Sequence, residues 1–429
     1  MSEATGNPAT ESEVVYSLPE RLRDATPSSV IAAAMAMRED LRERQEETEA
    51  LTYYPEATHQ AFEEAGFYRI MQPRRFGGLE FDVATFYKVI IEVARGCPST
   101  GWCLSLNAAH TLQMSAMYNE DVQRRAYGPD GDFRMSGRDT PLGTATEVDG
   151  GYVIDGTWNY CSGSPWSNWI FLGARLTSTG AEADMTYSLD SGHQVLAVVQ
   201  RAKWERLDDW HHSLGLKGSG SHSVRVDNQF VPADQVVRVN MLDISYPDDF
   251  AGASVNPNPM YSGRQTGFFG GELASIAIGT AKAALDEYER LIRSKKTTFA
   301  PHVIRASHAD FQITFGKAMG MIAAAEAIVL QLGHEYMELS RRQVEEGVEF
   351  THEDDIRLDA MAIQAARLAW EAMEDLLVRT AGSAPLANGQ RMQRYVRDFL
   401  TYRGHQAAST YETMARYLAC LHLGEEFER

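Results

Sequence analysis

The sequence changes its period twice, near residue 130 and again near residue 265. Before the first change, apolar residues recur three and four apart, as one face of a helix requires: Val30, Ala33, Ala34, Met37 and Leu41. Thr26-Pro27 offers that run an N-cap and a first helical residue. Helices are predicted over residues 28–52, 55–66, 82–95, 99–117 and 120–126, with an extended segment at 67–73. After Pro129-Asp130-Gly131, glycine, threonine and β-branched residues rise. Asp149-Gly150-Gly151 is a hairpin signal between strands predicted at 144–148 and 152–158. Further strands are predicted at 169–176, 194–200 and 221–230. The helix period then returns in Leu273, Ile276, Ala277, Thr280, Ala281, Ala284, Leu285, Tyr288 and Leu291, and persists through 306–346, 353–381 and 390–423. Four long amphipathic helices predict a bundle.

The order of blocks predicts a mainly α protein with a central β-domain. A disordered tail covers 1–25, an N-terminal α-helical domain 26–130, a β-barrel or sandwich 131–245, and a C-terminal four-helix bundle 246–429. Lys plus Arg number 40 against 59 for Asp plus Glu, a formal charge of −19. That balance argues against broad binding to nucleic acid or to an anionic membrane. No unbroken run of 18 apolar residues occurs, so no membrane span is expected. The cysteines, Cys97, Cys103, Cys161 and Cys420, fit neither a zinc site nor a disulfide framework. They read as reduced thiols of a cytoplasmic protein, and no metal is expected.

Chemistry concentrates in the stretch TWNYCSGSPWSNW, residues 157–169, which holds three of the seven tryptophans. Gly163 permits close backbone approach, and Ser162 and Ser164 each offer a hydroxyl. The stretch is either a turn that closes the β-domain or the wall of a site for a flat aromatic cofactor. Gly218-Ser219-Gly220-Ser221 precedes a strand rather than a helix, so it fails the context of a dinucleotide-binding loop. It reads as a tight turn, or as backbone approaching a phosphate or ring. No phosphate-binding GxxxxGK[ST] occurs. His110 ends the apolar stretch 102–109 and reads first as a core residue. His405 follows Gly404, which makes room on a predicted helix, so it reads as packing or as lining a pocket. Arg293, Lys295 and Lys296 suit the C-terminal dipole of a helix, or a phosphate.

Ala65-Gly66-Phe67-Tyr68-Arg69-Ile70, Pro73 and Phe76-Gly77-Gly78 resemble the first-domain signature of the acyl-CoA dehydrogenase fold. Ala94-Arg95-Gly96-Cys97-Pro98-Ser99-Thr100-Gly101-Trp102 and Trp158-Asn159-Tyr160-Cys161-Ser162-Gly163 are similar to the two-component flavin-dependent monooxygenases built on that fold. The segments from Trp210 to Ser221 and Phe230-Val231-Pro232 extend the likeness, which spans about residues 28–424. The dehydrogenases carry a glutamate base in the segment matching 382–398. Here Arg394, Arg397 and Asp398 fit, but Gly389 holds the glutamate position, and glycine cannot be a base.

The resemblance implies an oxygenase component supplied with reduced FMN or FAD by a separate NAD(P)H:flavin reductase. With O2 the flavin forms a C4a-hydroperoxide that hydroxylates an aromatic or other small organic substrate. It implies that Ser162, Gly163, Trp102, Trp210 and Ser221 contact the flavin. It also implies that Ser162 bonds near the reacting flavin atoms, and that His405 and His110 face the substrate. Arg293 is expected to reach a flavin phosphate in a neighbouring subunit of a homotetramer. On a continuous last helix, His405 would share a face with Asp398 and titrate near ~6.5. The alternatives are an acyl-CoA dehydrogenase or oxidase, and a non-catalytic flavin-binding or helical scaffold.

Overall fold

A computed structural model describes residues 16, 18–177, 194–239, 251–409 and 411–427. α1 (Pro27–Glu43) starts at a capping box in which Thr26 and Ser29 bond reciprocally. It stops at Arg44, and α2 (Gln45–Leu51) follows as a separate helix, so the run at 28–52 is two helices. Gln45 explains the break: it is buried, and its Nε2 donates to the Gly96 carbonyl at 2.8 Å. α3 (Glu56–Ala65) ends at Gly66, whose φ of 75° suits glycine.

The segment at 67–73 is not extended. Phe67–Arg69 is a 3-10 turn, and the carbonyls of Arg69 and Ile70 accept from Leu79 and Phe81. The apolar run that suggested a strand is there because Phe67, Tyr68, Ile70 and Met71 are all buried. α4 (Val83–Gly96), α5 (Pro98–Met117) and α6 (Glu120–Tyr127) complete the first domain. The predicted tail to residue 25 is also corrected. Residues 1–15 lie outside the described part, but Leu22 is 3% exposed and packs on Gly66.

The middle domain is one sheet of seven strands among the described residues: β1 (Met135–Val148), β2 (Gly151–Trp158), β3 (Trp169–Thr177), β4 (Gln194–Gln200), β5 (Glu205–Arg206), β6 (Val224–Pro232) and β7 (Val236–Arg238). Their order is β5-β6-β2-β1-β3-β4-β7, antiparallel except for β1–β3. The hairpin forms as expected, with Val148 opposite Gly151 and Gly150 at φ 77°. The period of two divides each strand between two cores. In β3, Trp169 and Phe171 join the large helical core, while Ile170 and Leu172 join a smaller one around Trp158.

The last domain contains α7 (Gly252–Val255), α8 (Thr266–Ser294), α9 (Ala309–Glu346) and α10 (His352–Glu371). α10 runs through a π-helical turn, Ala372–Val378, into α11 (Arg379–Ala381). α12 (Arg391–Arg403), α13 (Gln406–Ser409) and α14 (Tyr411–Leu423) follow. The continuous helix expected over 390–423 is broken, because α12 ends at Gly404. α4 packs along α8 so closely that a Cβ on Gly279 would lie 2.5 Å from Ala94 Cβ. The first and last domains thus share one core, with α5 buried inside it on nearly every side. α9 modifies the expectation about apolar runs. An 18-residue window of it has mean hydropathy 1.6 and is only 28% buried, so by length and composition alone it could span a membrane.

Candidate active site

The helix α5 brings Trp102 up against the turn that follows β2. Trp102 Nε1 donates to Ser162 Oγ at 2.9 Å. Ser162 Oγ lies 2.8 Å from Ser221 Oγ, which lies 2.7 Å from Ser219 Oγ. Three residues expected to share a cofactor site are therefore joined by hydrogen bonds, although 60 positions separate Trp102 from Ser162 and 59 separate Ser162 from Ser221. The turn is rigid. Ser136 Oγ donates to the Ser162 carbonyl at 2.8 Å, and Asn107 Nδ2 donates to the Gly163 carbonyl at 3.0 Å. Gly163 has φ 78°, and a Cβ there would lie 2.6 Å from Asn107 Nδ2. Both facts require glycine. Asn107 and Ser167, whose Oγ donates to Asn107 Oδ1 at 2.6 Å, escaped sequence reasoning. Their role is visible only once α5 lies beside the turn.

His405 does join this group, though not by helical geometry. It sits in the bend after Gly404, between α12 and α13, with its ring edge-on to Trp102 at 5.3 Å and 71°. Asp398 is turned elsewhere: its Oδ1 accepts from the Leu216 backbone at 2.7 Å, and burial pushes its carboxyl up to about 7. The shared face of His405 and Asp398 is therefore not observed. Nor does His405 sit near the ordinary imidazole range. Burial, then the nearby Arg138 guanidinium, lowers it to about 4.

His110 is buried on α5. Its Nδ1 lies 2.7 Å from the Met135 carbonyl, which can only accept, so Nδ1 carries the proton and Nε2 is the bare nitrogen of the neutral ring. Burial lowers its pKa to about 4. Its ring packs against Phe171 at 4.6 Å and Phe269 at 5.6 Å. Both readings of the sequence thus meet in one residue: a core histidine with one nitrogen uncommitted to Met135.

Trp210 stands apart from Ser162. Its Nε1 donates to the Leu216 carbonyl at 3.1 Å, and its ring lies 5.7 Å from Tyr160, which is 56% exposed. His222, also missed, holds that loop. The backbone N–H groups of Asp209 and Trp210 donate to its Nδ1 at 3.3 Å, so Nε2 donates to Thr52 Oγ1 at 2.8 Å. Trp210 borders a polar cavity of about 550 Å³ with Lys217, Gly389, Arg394 and Arg397. Glu49 pairs with both arginines. Gly389 is an exposed turn residue at φ 82°, and no side chain there supplies a base. Arg293 is 70% exposed at the end of α8, where it pairs with Glu289 on the same helix at 2.7 Å. Within this chain it meets none of the site residues.

A helical domain, a sheet and a bundle sharing one core, with a serine turn held by a tryptophan at their junction, define a protein of the acyl-CoA dehydrogenase fold. Residues 31–130 match the profile of the acyl-CoA dehydrogenase N-terminal domain, and residues 272–410 that of its C-terminal domain. The chain belongs to that family, in its branch of flavin-dependent monooxygenases. It is similar to the flavin-dependent monooxygenase oxygenase subunit HsaA of Rhodococcus jostii (strain RHA1), with 28% identity over 86% of this chain and 91% of that one. It is 22% identical to the p-hydroxyphenylacetate 3-hydroxylase oxygenase component of Acinetobacter baumannii, over 94% and 91% of the two chains. The crystal structure of 3-HSA hydroxylase from Rhodococcus sp. RHA1 superposes with a TM-score of 0.81 at 26% identity, covering 94% of this chain and 98% of that one.

Proposed function

We propose that this chain hydroxylates an uncharged phenol as the oxygenase component of a two-component system, with Ser162, Trp102 and His405 at the reacting centre. The cofactor is reduced flavin, and a separate reductase supplies it. When bound, reduced flavin supplies the electrons that activate O2 for transfer of one oxygen atom.

The observation that carries the residue roles is the chain of hydrogen bonds that meets at Ser162. Its oxygen already accepts from Trp102. If Ser219 donates to Ser221 and Ser221 to Ser162, the Ser162 proton is left over for a ligand. A hydroxyl donor with no internal acceptor suits the polar edge of a flavin ring, and Gly163 keeps the adjoining backbone free of side chain. Ser162, Gly163, Trp102, Ser221 and Trp210 are the residues that would hold it. His405, neutral at working pH and edge-on to Trp102, would accept the hydrogen bond of the phenol and orient it. His110 would present its bare Nε2 from the α5 side.

The dehydrogenase alternative needs a carboxylate base, which Gly389 does not supply at the matching position and which would have to come from another helix. With an artificial electron acceptor present, the protein is expected to oxidise no acyl-CoA of any chain length. Sustained turnover of one would end the monooxygenase reading.

We propose further that the assembly is a homotetramer of the cytoplasm. What supports it is the outer face of α9, where Ile313, Gly316, Gly320, Ala323 and Ala327 are exposed in a helical stripe of small and apolar residues. Such a stripe on a long helix suits another copy of the chain. Arg293 would then reach a flavin phosphate across the interface. Light scattering at micromolar concentration is expected to give four times the chain mass. A monomer would remove both the assembly and the role of Arg293.

A further inference from the structure

A second cavity, of about 140 Å³, lies between α8, α10 and α12. Leu273, Ala362, Ile363, Trp370, Phe399 and Tyr402 make it largely apolar, and Asp359 is the one carboxylate in its wall. Arg367 and Arg403 also border it, Arg403 lying over the Trp370 ring and Arg367 pairing with Glu371. Asp359 is 7% exposed. Among the described residues it has no hydrogen-bond or ion-pair partner. Asp355, one turn earlier on α10, shows the contrast. It accepts from the backbone of Gly267 at 2.7 Å and of Thr266 at 3.2 Å, at the start of α8. Asp355 is a structural brace, and Asp359 braces nothing. Gly270 makes room for it, since a Cβ there would collide with Asp359 Oδ1. Burial, then the field of Asp355, pushes the Asp359 carboxyl up to about 8, so it is a neutral acid able to donate and accept. A buried carboxyl left unpaired in an apolar wall costs stability and calls for a compensating partner.

The cavity adjoins the reacting centre. Tyr402 walls it on one side and lies edge-on to Trp102, 6.3 Å away, on the other. Phe269, between Gly270 of the cavity wall and the preceding turn of α8, touches His110.

We propose that this cavity receives the end of the substrate remote from the reacting ring, and that Asp359 selects substrates carrying an uncharged carbonyl or hydroxyl at that end. The proposal rests on the monooxygenase reading for the word substrate, but its binding test does not. The volume suits a short side chain, and a largely apolar wall whose two arginines are engaged by Trp370 and Glu371 suits an uncharged group beside the Asp359 carboxyl.

Two phenols of equal length serve as probes, one with a para 3-oxobutyl chain and one with a para butyl chain. Quenching of tryptophan fluorescence reads their binding, Trp370 being in the wall. For wild type, the ratio of the two Kd values should favour the ketone by about tenfold relative to the ratio for Asp359→Leu, the worth of one hydrogen bond. Asp359→Asn, which keeps a donor, should stay within about threefold of wild type. Ala362→Phe should fill the cavity and abolish binding of both phenols. Equal ratios in wild type and Asp359→Leu would overturn the proposal. So would undiminished binding to Ala362→Phe, or no saturable quenching of wild type by either phenol. Absence of hydroxylated product from a phenol that binds as expected would count against the monooxygenase reading and leave the assignment of Asp359 standing. Asp359→Leu is expected to melt higher than wild type, as removal of an unpaired buried acid predicts.

Discussion

His405→Ala should still consume reduced flavin and O2 while its yield of hydroxylated phenol falls roughly 10²-fold, the cost of misplacing a reactant that a contact had oriented. The missing product should reappear as H2O2. The expectation rests on two observations: the ring stands edge-on to Trp102, which holds Ser162, and burial keeps it neutral. Its pH dependence has a definite sign. A histidine lowered from ~6.5 to about 4 favours the fold in its neutral form. That contribution is complete above the unfolded value and is lost as pH falls towards the folded one. Product yield should therefore be flat from about pH 8 down to about pH 5 and decline only as pH nears the folded value of about 4, where the ring of the folded protein takes up its proton. A step in yield near ~6.5 would show that the ring is not desolvated. A folded His405→Ala protein with unchanged yield would make His405 a packing residue only.

Ser162→Ala is the second large effect, and it should appear twice. The buried Trp102 Nε1–H loses its only acceptor among the described residues, which costs about 1–3 kcal/mol of stability. The hydroxyl that would meet the cofactor is also lost. A donor aimed at developing charge is worth roughly 10²–10³-fold where it acts in a closed site. Coupling of flavin oxidation to product should fall accordingly, with more H2O2 released. Ser221→Ala separates the two causes. It leaves the Trp102–Ser162 bond in place but removes the hydroxyl whose donation to Ser162 turns the Ser162 proton towards the ligand, so coupling should fall while the melting temperature moves little. If Ser162→Ala is destabilised yet fully coupled, the serine is structural and the cofactor role fails.

Much of the fold is legible in the residues because it is local. Asp149-Gly150 supplies the positive φ that a two-residue hairpin needs, and β1 and β2 pair across it. Strand β4 carries the apolar run Val195–Val199 between Gln194 and Gln200. The errors also have physical causes. Phe67, Tyr68, Ile70 and Met71 look like a strand because all are buried, and burial from several sides hides the helical turn at Phe67–Arg69. Gly404 reads as a space-maker within a helix, but it ends one.

The candidate site divides along the same line. The chain alone determined the order of its domains, the close backbone approach that Gly163 permits and the absence of a base at position 389, since each follows from residue pattern or from a residue's own chemical limits. Only the tertiary structure decided that Trp102, Ser162 and Ser221 touch, that His405 lies against Trp102 rather than beside Asp398, and that Asp359 is unpaired while Asp355 is not. Those are consequences of long-range packing, which sets how much water each group loses and which partner replaces it. Neither quantity is carried by the spacing of residues along the chain.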